Sequence, residues 1–224
     1  MLELWFDYRE LWWSGLVTTA SLTVLAIFFG FLLALPIGFA RSKSKGILGW
    51  LALGYTNLFR GMPLLVLLFL VYYGVGQFNR ELRAIGLWWF FRDAWYCGLL
   101  ALVLNTAAYQ AEIIRGSLDT ISTSIQETNQ ALNLTRWTAF RRVLLPIAFA
   151  KALPAIGNEF ILLLKATSLL AIITVFDLMG QARYIFSETF DLKVYYVAAV
   201  QYLLLVLAIE WGLRRLEARI KWMA

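Results

Sequence analysis

The sequence predicts an all-α integral membrane protein with five transmembrane helices in a single domain covering residues 1–224. Three observations carry that expectation. Hydrophobic residues make up 61% of the chain, and mean hydropathy is +0.70. Charged residues make up only 15%, well below the roughly one quarter usual in soluble domains. The charges are also gathered between long apolar runs, each near the ~20 residues a helix needs to cross a hydrocarbon core.

The first run, residues 16–40, is apolar apart from small hydroxyl residues. It exceeds a signal-peptide core, and the preceding MLELWFDYRE holds more acid than base, so a retained span is expected. After RSKSK, residues 47–78 are apolar again but interrupted by Arg60, Gly61 and Pro63. That stretch is too long for one crossing. Its first part is expected near the inner face and the span itself at 58–76, with Arg60 as a snorkelling residue at the interface. The third, fourth and fifth spans are expected at 95–114, 156–176 and 195–212.

Basic residues set the orientation. The regions after the odd-numbered spans hold twelve Lys and Arg, against six on the opposite side together with eight Asp and Glu. Positive-inside bias places the N-terminus outside (periplasmic) and the C-terminus in the cytoplasm. The aromatic run LWWFFRDAWY then lies outside, where Trp88, Trp89, Trp95 and Tyr96 suit interfacial anchoring in lipid. In a membrane protein the net charge of +6 reports topology, and no nucleic-acid partner is expected. With one cysteine, Cys97, and no histidine, an intrachain disulfide, a Cys/His zinc site and Ser-His or Cys-His catalysis are all excluded.

Residues 116–146 depart from this oily pattern. Leu118, Ile121, Ile125, Thr128 and Leu132 form one stripe at helical spacing on an otherwise polar stretch. Asn133 tolerates the left-handed backbone of a helix stop. Thr135 is a plausible N-cap for a second helix, RWTAFRRVLL, which Leu145-Pro146 should close because the residue before proline is pushed from the α region. The expectation is two short cytoplasmic helices about a sharp turn. They serve either as a docking handle for another protein or as a connector packed beneath their own bundle.

The segments ETNQALN and VLLP resemble the EAA loop of ATP-binding cassette (ABC) importer permeases, with Thr128-Asn129 where Ala-Ala is usual and Asn133 where glycine is usual. FRGMPLL, YYGVGQF, LNTAAYQAEIIRGSL and GNEFILLLKATSLL extend the resemblance over nearly the whole chain, to polar amino acid uptake permeases of the arginine, histidine, ornithine and opine branch. The resemblance implies a type I importer core of five transmembrane helices with a cytoplasmic coupling-helix loop. It implies a bacterial inner-membrane location and three partners: an ABC ATPase dimer, a second permease chain (copy or paralogue), and a periplasmic amino-acid-binding protein. Glu127 would brace the loop, Ala131 and Leu132 would fill the ATPase groove, and Asn133, Leu145 and Pro146 would shape the handle. No phosphate loop of the G-x-x-x-x-G-K-[ST] type is present, so no ATP or Mg²⁺ site, other cofactor or catalytic site is expected in this chain.

Ionisable groups at span depth usually face a cavity or a partner. Glu159 and Glu112 are the candidates to meet a cationic solute, with the alternative that Glu112 is a helix-end acid pairing with Arg115 or Arg60. Lys165 follows Glu159 at i+6, nearly opposite on a helix, and either points away or holds an α-carboxylate. Thr167 and Ser168 offer hydroxyls to a solute or to their own helix. The resemblance adds Asn105 and Tyr109 to the pathway. Related permeases often carry an acid after the lysine, where Ala166 stands here, and the solute could instead rest in the partner chain. Three readings of function follow: an importer permease for polar, basic amino acids; a permease of the same family for glutamine, glutamate or cystine; and a secondary transporter driven by an ion gradient. Against the last, no internal repeat is visible and five spans do not halve.

Overall fold

The computed structural model describes residues 2–44, 46–131 and 135–220, with residues 2, 120–131, 136 and 220 described as backbone only. The described residues are mostly helical, with no strand among them. The helices are α1 (Leu2–Asp7), α2 (Arg9–Lys43), α3 (Ile47–Gly61), α4 (Leu64–Phe69), α5 (Asn79–Ala84), α6 (Trp88–Phe91), α7 (Ala94–Ala131), α8 (Arg136–Ala139), α9 (Leu145–Ala166), α10 (Leu178–Thr189) and α11 (Lys193–Ile220). Among the described residues, four helical stretches are long and apolar enough to cross a membrane: Arg9–Lys43, Ala94–Asp119, Trp137–Ile173 and Lys193–Arg219. A fifth results if α3 and the Leu64–Gly74 stretch count as one broken span.

The core is built around α7, which α2 accompanies along its length. Small residues at every fourth position of α2, Ala26, Gly30, Ala34 and Gly38, let the two backbones approach. A Cβ on Gly30 would lie 2.5 Å from Thr106 Cγ2, and one on Gly38 would lie 2.9 Å from the Ala111 carbonyl oxygen, so neither position accepts a larger side chain without separating the helices. At the N-terminal end of α2, Trp12, Leu178, Ala182, Ile185 and Val194 form a separate apolar cluster that fixes α10 and α11 against α2.

The second span differs from the continuous crossing expected at 58–76. Met62, held extended by Pro63 (ψ 131°), ends α3, and the chain turns through 103° before Leu64. The polar insert also differs. It is not two short helices isolated between spans: α7 runs unbroken from Ala94 to Ala131, because Gly116 alone does not stop a helix. At its far end Thr135 is an N-cap as expected, accepting from the Thr138 N–H at 3.3 Å. Pro146 does not close the second helix. A π turn, Phe140–Leu144, widens the backbone there, Leu145 keeps α-helical angles, and Pro146 enters the first turn of α9, where its missing N–H costs little. The helix expected at 156–176 therefore starts at Leu145 and passes into a 3-10 helix (Thr167–Ile173), which ends at left-handed Thr174 (φ 66°), leaving Phe176 outside it.

Candidate functional site

Two glutamates of the bundle lie in opposite surroundings. Glu159 on α9 is 8% exposed and faces α7, where the Thr106 hydroxyl donates to its Oε1 at 2.9 Å. The Gln110 side-chain amide donates to the same Thr106 oxygen at 3.1 Å and reaches toward the Ile27 carbonyl at 3.4 Å, while its own Oε1 is buried without a donor. No cation neutralises Glu159 among the described residues. Lys165 is exposed on the far side of the helix, as the i+6 spacing requires. The site is therefore a buried acid with one donor and free lone pairs, between the helices that form the core.

Glu112 occurs more than one helical turn further along α7 from Thr106, toward its C-terminal end, and it is saturated. Arg115 Nε donates to its Oε1 at 2.7 Å, Arg41 Nη2 to its Oε2 at 3.3 Å, and Arg60 Nη1 lies 3.8 Å from Oε2. The pairings with Arg115 and Arg60 are those the alternative reading expected. Arg41, from the end of α2, adds a third that no local spacing announces. Arg115 continues to Asp119 at 2.8 Å, and Ser42 donates to the same carboxylate at 2.6 Å. Arg60 is not simply snorkelling: its guanidinium also lies over the Tyr109 ring, 5.5 Å from the centroid.

The remaining candidates hydrogen-bond within the chain. Asn105 donates to the Phe59 carbonyl at 3.0 Å, and the Tyr109 hydroxyl lies 3.5 Å from the Arg60 carbonyl. With the Tyr55 hydroxyl bound to the Leu104 carbonyl at 2.8 Å, they pin the last turns of α3 onto α7. Thr167 donates to the Leu164 carbonyl at 2.9 Å and Ser168 to the Lys165 carbonyl at 2.7 Å, the own-helix alternative for both hydroxyls. Of the coupling residues, Glu127 and Ala131 lie on the α7 backbone with side chains outside the described residues, and Leu132 and Asn133 lie outside them altogether. Leu145 and Pro146 sit in the first turn of α9.

Sequence reasoning missed Asp177. Fully buried, it caps α10 by accepting from the Gly180 N–H at 2.8 Å and also accepts from Tyr202 at 2.9 Å and Thr167 at 3.4 Å. Thr19 of α2 accepts from the adjoining Leu178 N–H at 3.0 Å. The signal was present: an Asp immediately before an amphipathic stretch is a helix start.

Helices long and apolar enough to cross a membrane, packed into a bundle with a buried acid between the central ones, are the architecture of an integral membrane protein. The chain belongs to the family of binding-protein-dependent transport system inner membrane components, whose model matches residues 26–222. It is 41% identical over 216 residues to the nopaline transport system permease protein NocM of Agrobacterium fabrum, covering 92% of this chain and 90% of that one. It is 37% identical to the arginine ABC transporter permease protein ArtM of Haemophilus influenzae, covering 96% and 94%. Among solved structures, an amino acid ABC transporter with histidines superposes with a TM-score of 0.85 at 34% identity over 96% of both chains. The MetNI methionine ABC transporter, at 20% identity and a TM-score of 0.75, shares the fold.

Proposed function

We propose that this chain is the permease subunit of an ABC importer for polar, positively charged amino acids or opines. The carrying observation is near-full-length identity of 37–41% to permeases named for nopaline, octopine and arginine transport. Those three solutes share a guanidinium group, and an uncompensated carboxylate is its natural partner. Glu159 supplies one: it is buried on α9 facing α7, and among the described residues it holds a single hydroxyl donor and has no cation beside it.

In this reading a periplasmic binding protein delivers the solute to the outer face. ATP hydrolysis takes place in separate cytoplasmic subunits that grip segment 116–146. Because α7 and the α8–α9 unit run without a break from that segment into the core, a displacement at the handle is transmitted to Thr106 and Glu159 along stiff helices. The two states differ in their contacts to nucleotide-bound ATPase, and that difference drives alternating access. A second permease chain, identical or paralogous, completes the pathway. The positive-inside distribution supports a periplasmic N-terminus and cytoplasmic C-terminus.

The test is to purify the complex with its binding protein and identify retained solute by mass spectrometry. A basic amino acid or opine together with a co-purifying ATPase is expected. A solute without a guanidinium or other side-chain cation would overturn the cationic reading, and ion-driven transport by the lone chain in liposomes would overturn the importer reading.

A further inference from the structure

Between α2, α7 and α9 lies a groove of about 500 Å³, within the size range of ligand pockets, lined by apolar side chains with the single exception of Ser117. One wall is Phe31, Leu35 and Phe39 of α2, spaced one turn apart; the facing wall is Ile156, Ala152, Phe149 and Leu145 of α9. Phe149 and Leu145 are exposed, so the groove opens laterally rather than into the core. Both walls end in cations on the same side. Lys43 stands one turn beyond Phe39, and Arg141 and Arg142 stand one turn before Leu145, all three exposed. These three cations take part in none of the ion pairs among the described residues, in contrast to Arg41 and Arg115 beside them. Exposed Trp137 stacks on Phe140 at this level, and Phe140 packs on Phe39, the aromatic arrangement of a membrane interface.

We infer that this groove is a binding site for an anionic phospholipid of the inner leaflet, with an acyl chain along Phe31–Phe39 and the phosphate held by Lys43, Arg141 and Arg142. The antiparallel course of α2 and α9 makes their cationic ends coincide. A ring of free cations at one end of an otherwise apolar slot matches a molecule with one anionic end and a hydrocarbon remainder. Basic pockets between membrane helices on the cytoplasmic side select anionic headgroups in this way. The inference rests on the topology proposed above for the leaflet it names, and on the ATPase gripping the part of segment 116–146 that precedes Arg141.

Native mass spectrometry of the purified, delipidated complex titrated with dioleoyl phosphatidylglycerol or dioleoyl phosphatidylcholine reads the site directly. The wild-type complex is expected to prefer phosphatidylglycerol by roughly 10-fold or more, each cation near a surface charge contributing several-fold. The triple variant Lys43→Gln/Arg141→Gln/Arg142→Gln should lose that preference while still binding both lipids. Ala152→Phe, which fills the slot, should reduce occupancy by both lipids alike. An unchanged preference in the triple variant, or unchanged occupancy in Ala152→Phe, overturns the site. So does cross-linking of Phe149→Cys to another protein chain at the expense of lipid. Binding in micelles is blind to orientation, so a failure there strikes the groove. Accessibility of Lys43→Cys to a periplasmic thiol reagent would strike the topology alone.

Discussion

Glu112 and Glu159 are the same residue type in two regions of one bundle, and their surroundings differ sharply. In the C-terminal half of α7, three arginines from α2, α3 and α7 converge on Glu112, so its lone pairs are already occupied by the protein. On α9, Glu159 accepts from the Thr106 hydroxyl of α7, to which the Gln110 amide donates in turn, and no cation pairs with it among the described residues. An ionisable group inside a membrane protein is costly unless something compensates it. At Glu112 the compensation is internal and joins three helices. At Glu159 it is incomplete, which is the condition for a solute cation to complete it.

The largest effect is expected where three helices depend on one acid. Glu112→Ala leaves three guanidiniums facing one another, and removing one partner of a partly buried cluster costs about 2–3 kcal/mol. The yield and thermal melting of the extracted complex should fall, and Arg41→Ala in the same background should recover part of the loss. Glu127→Lys should leave the complex intact yet cut solute-stimulated ATPase by about 10-fold or more through the coupling segment, a range set by allosteric coupling energies of this kind. Normal coupling in that variant would remove Glu127 from the handle. Asn105→Ala loses one hydrogen bond to the Phe59 carbonyl and should lower stability by about 1 kcal/mol, read from the same melts. Ser168→Ala loses only an own-helix bond and should change stability and uptake within about 0.5 kcal/mol. A large uptake defect there would place the hydroxyl in the pathway after all.

Much of this comparison was legible before any coordinates. Glu112 to Arg115 is an i,i+3 pair visible in one turn, and Thr135 carries its cap signal locally. The i+6 separation of Glu159 and Lys165 already set them on opposite sides. What the chain does not spell out is tertiary. Arg41 reaches Glu112 across 71 positions, and the donor to Glu159 comes from Thr106 on a different helix. Pro146 misled for a physical reason: proline stops a regular helix, but the preceding π turn removes the clash that would stop this one. α10 was hidden because residues 177–193 lack the apolar length of a span, although Asp177 announced its start.

The central claim is that Glu159, and not Glu112, meets the charge of the solute. It is tested most directly by ATP-driven uptake of arginine and of citrulline, its uncharged isostere, into proteoliposomes holding the complete transporter. Wild type and Glu112→Gln should both favour arginine. Glu159→Gln should lose that preference by roughly 10- to 100-fold, the range for a charge-assisted hydrogen bond, with its thermal melt unchanged. An arginine preference that survives in Glu159→Gln, or disappears in Glu112→Gln alone, would contradict the account.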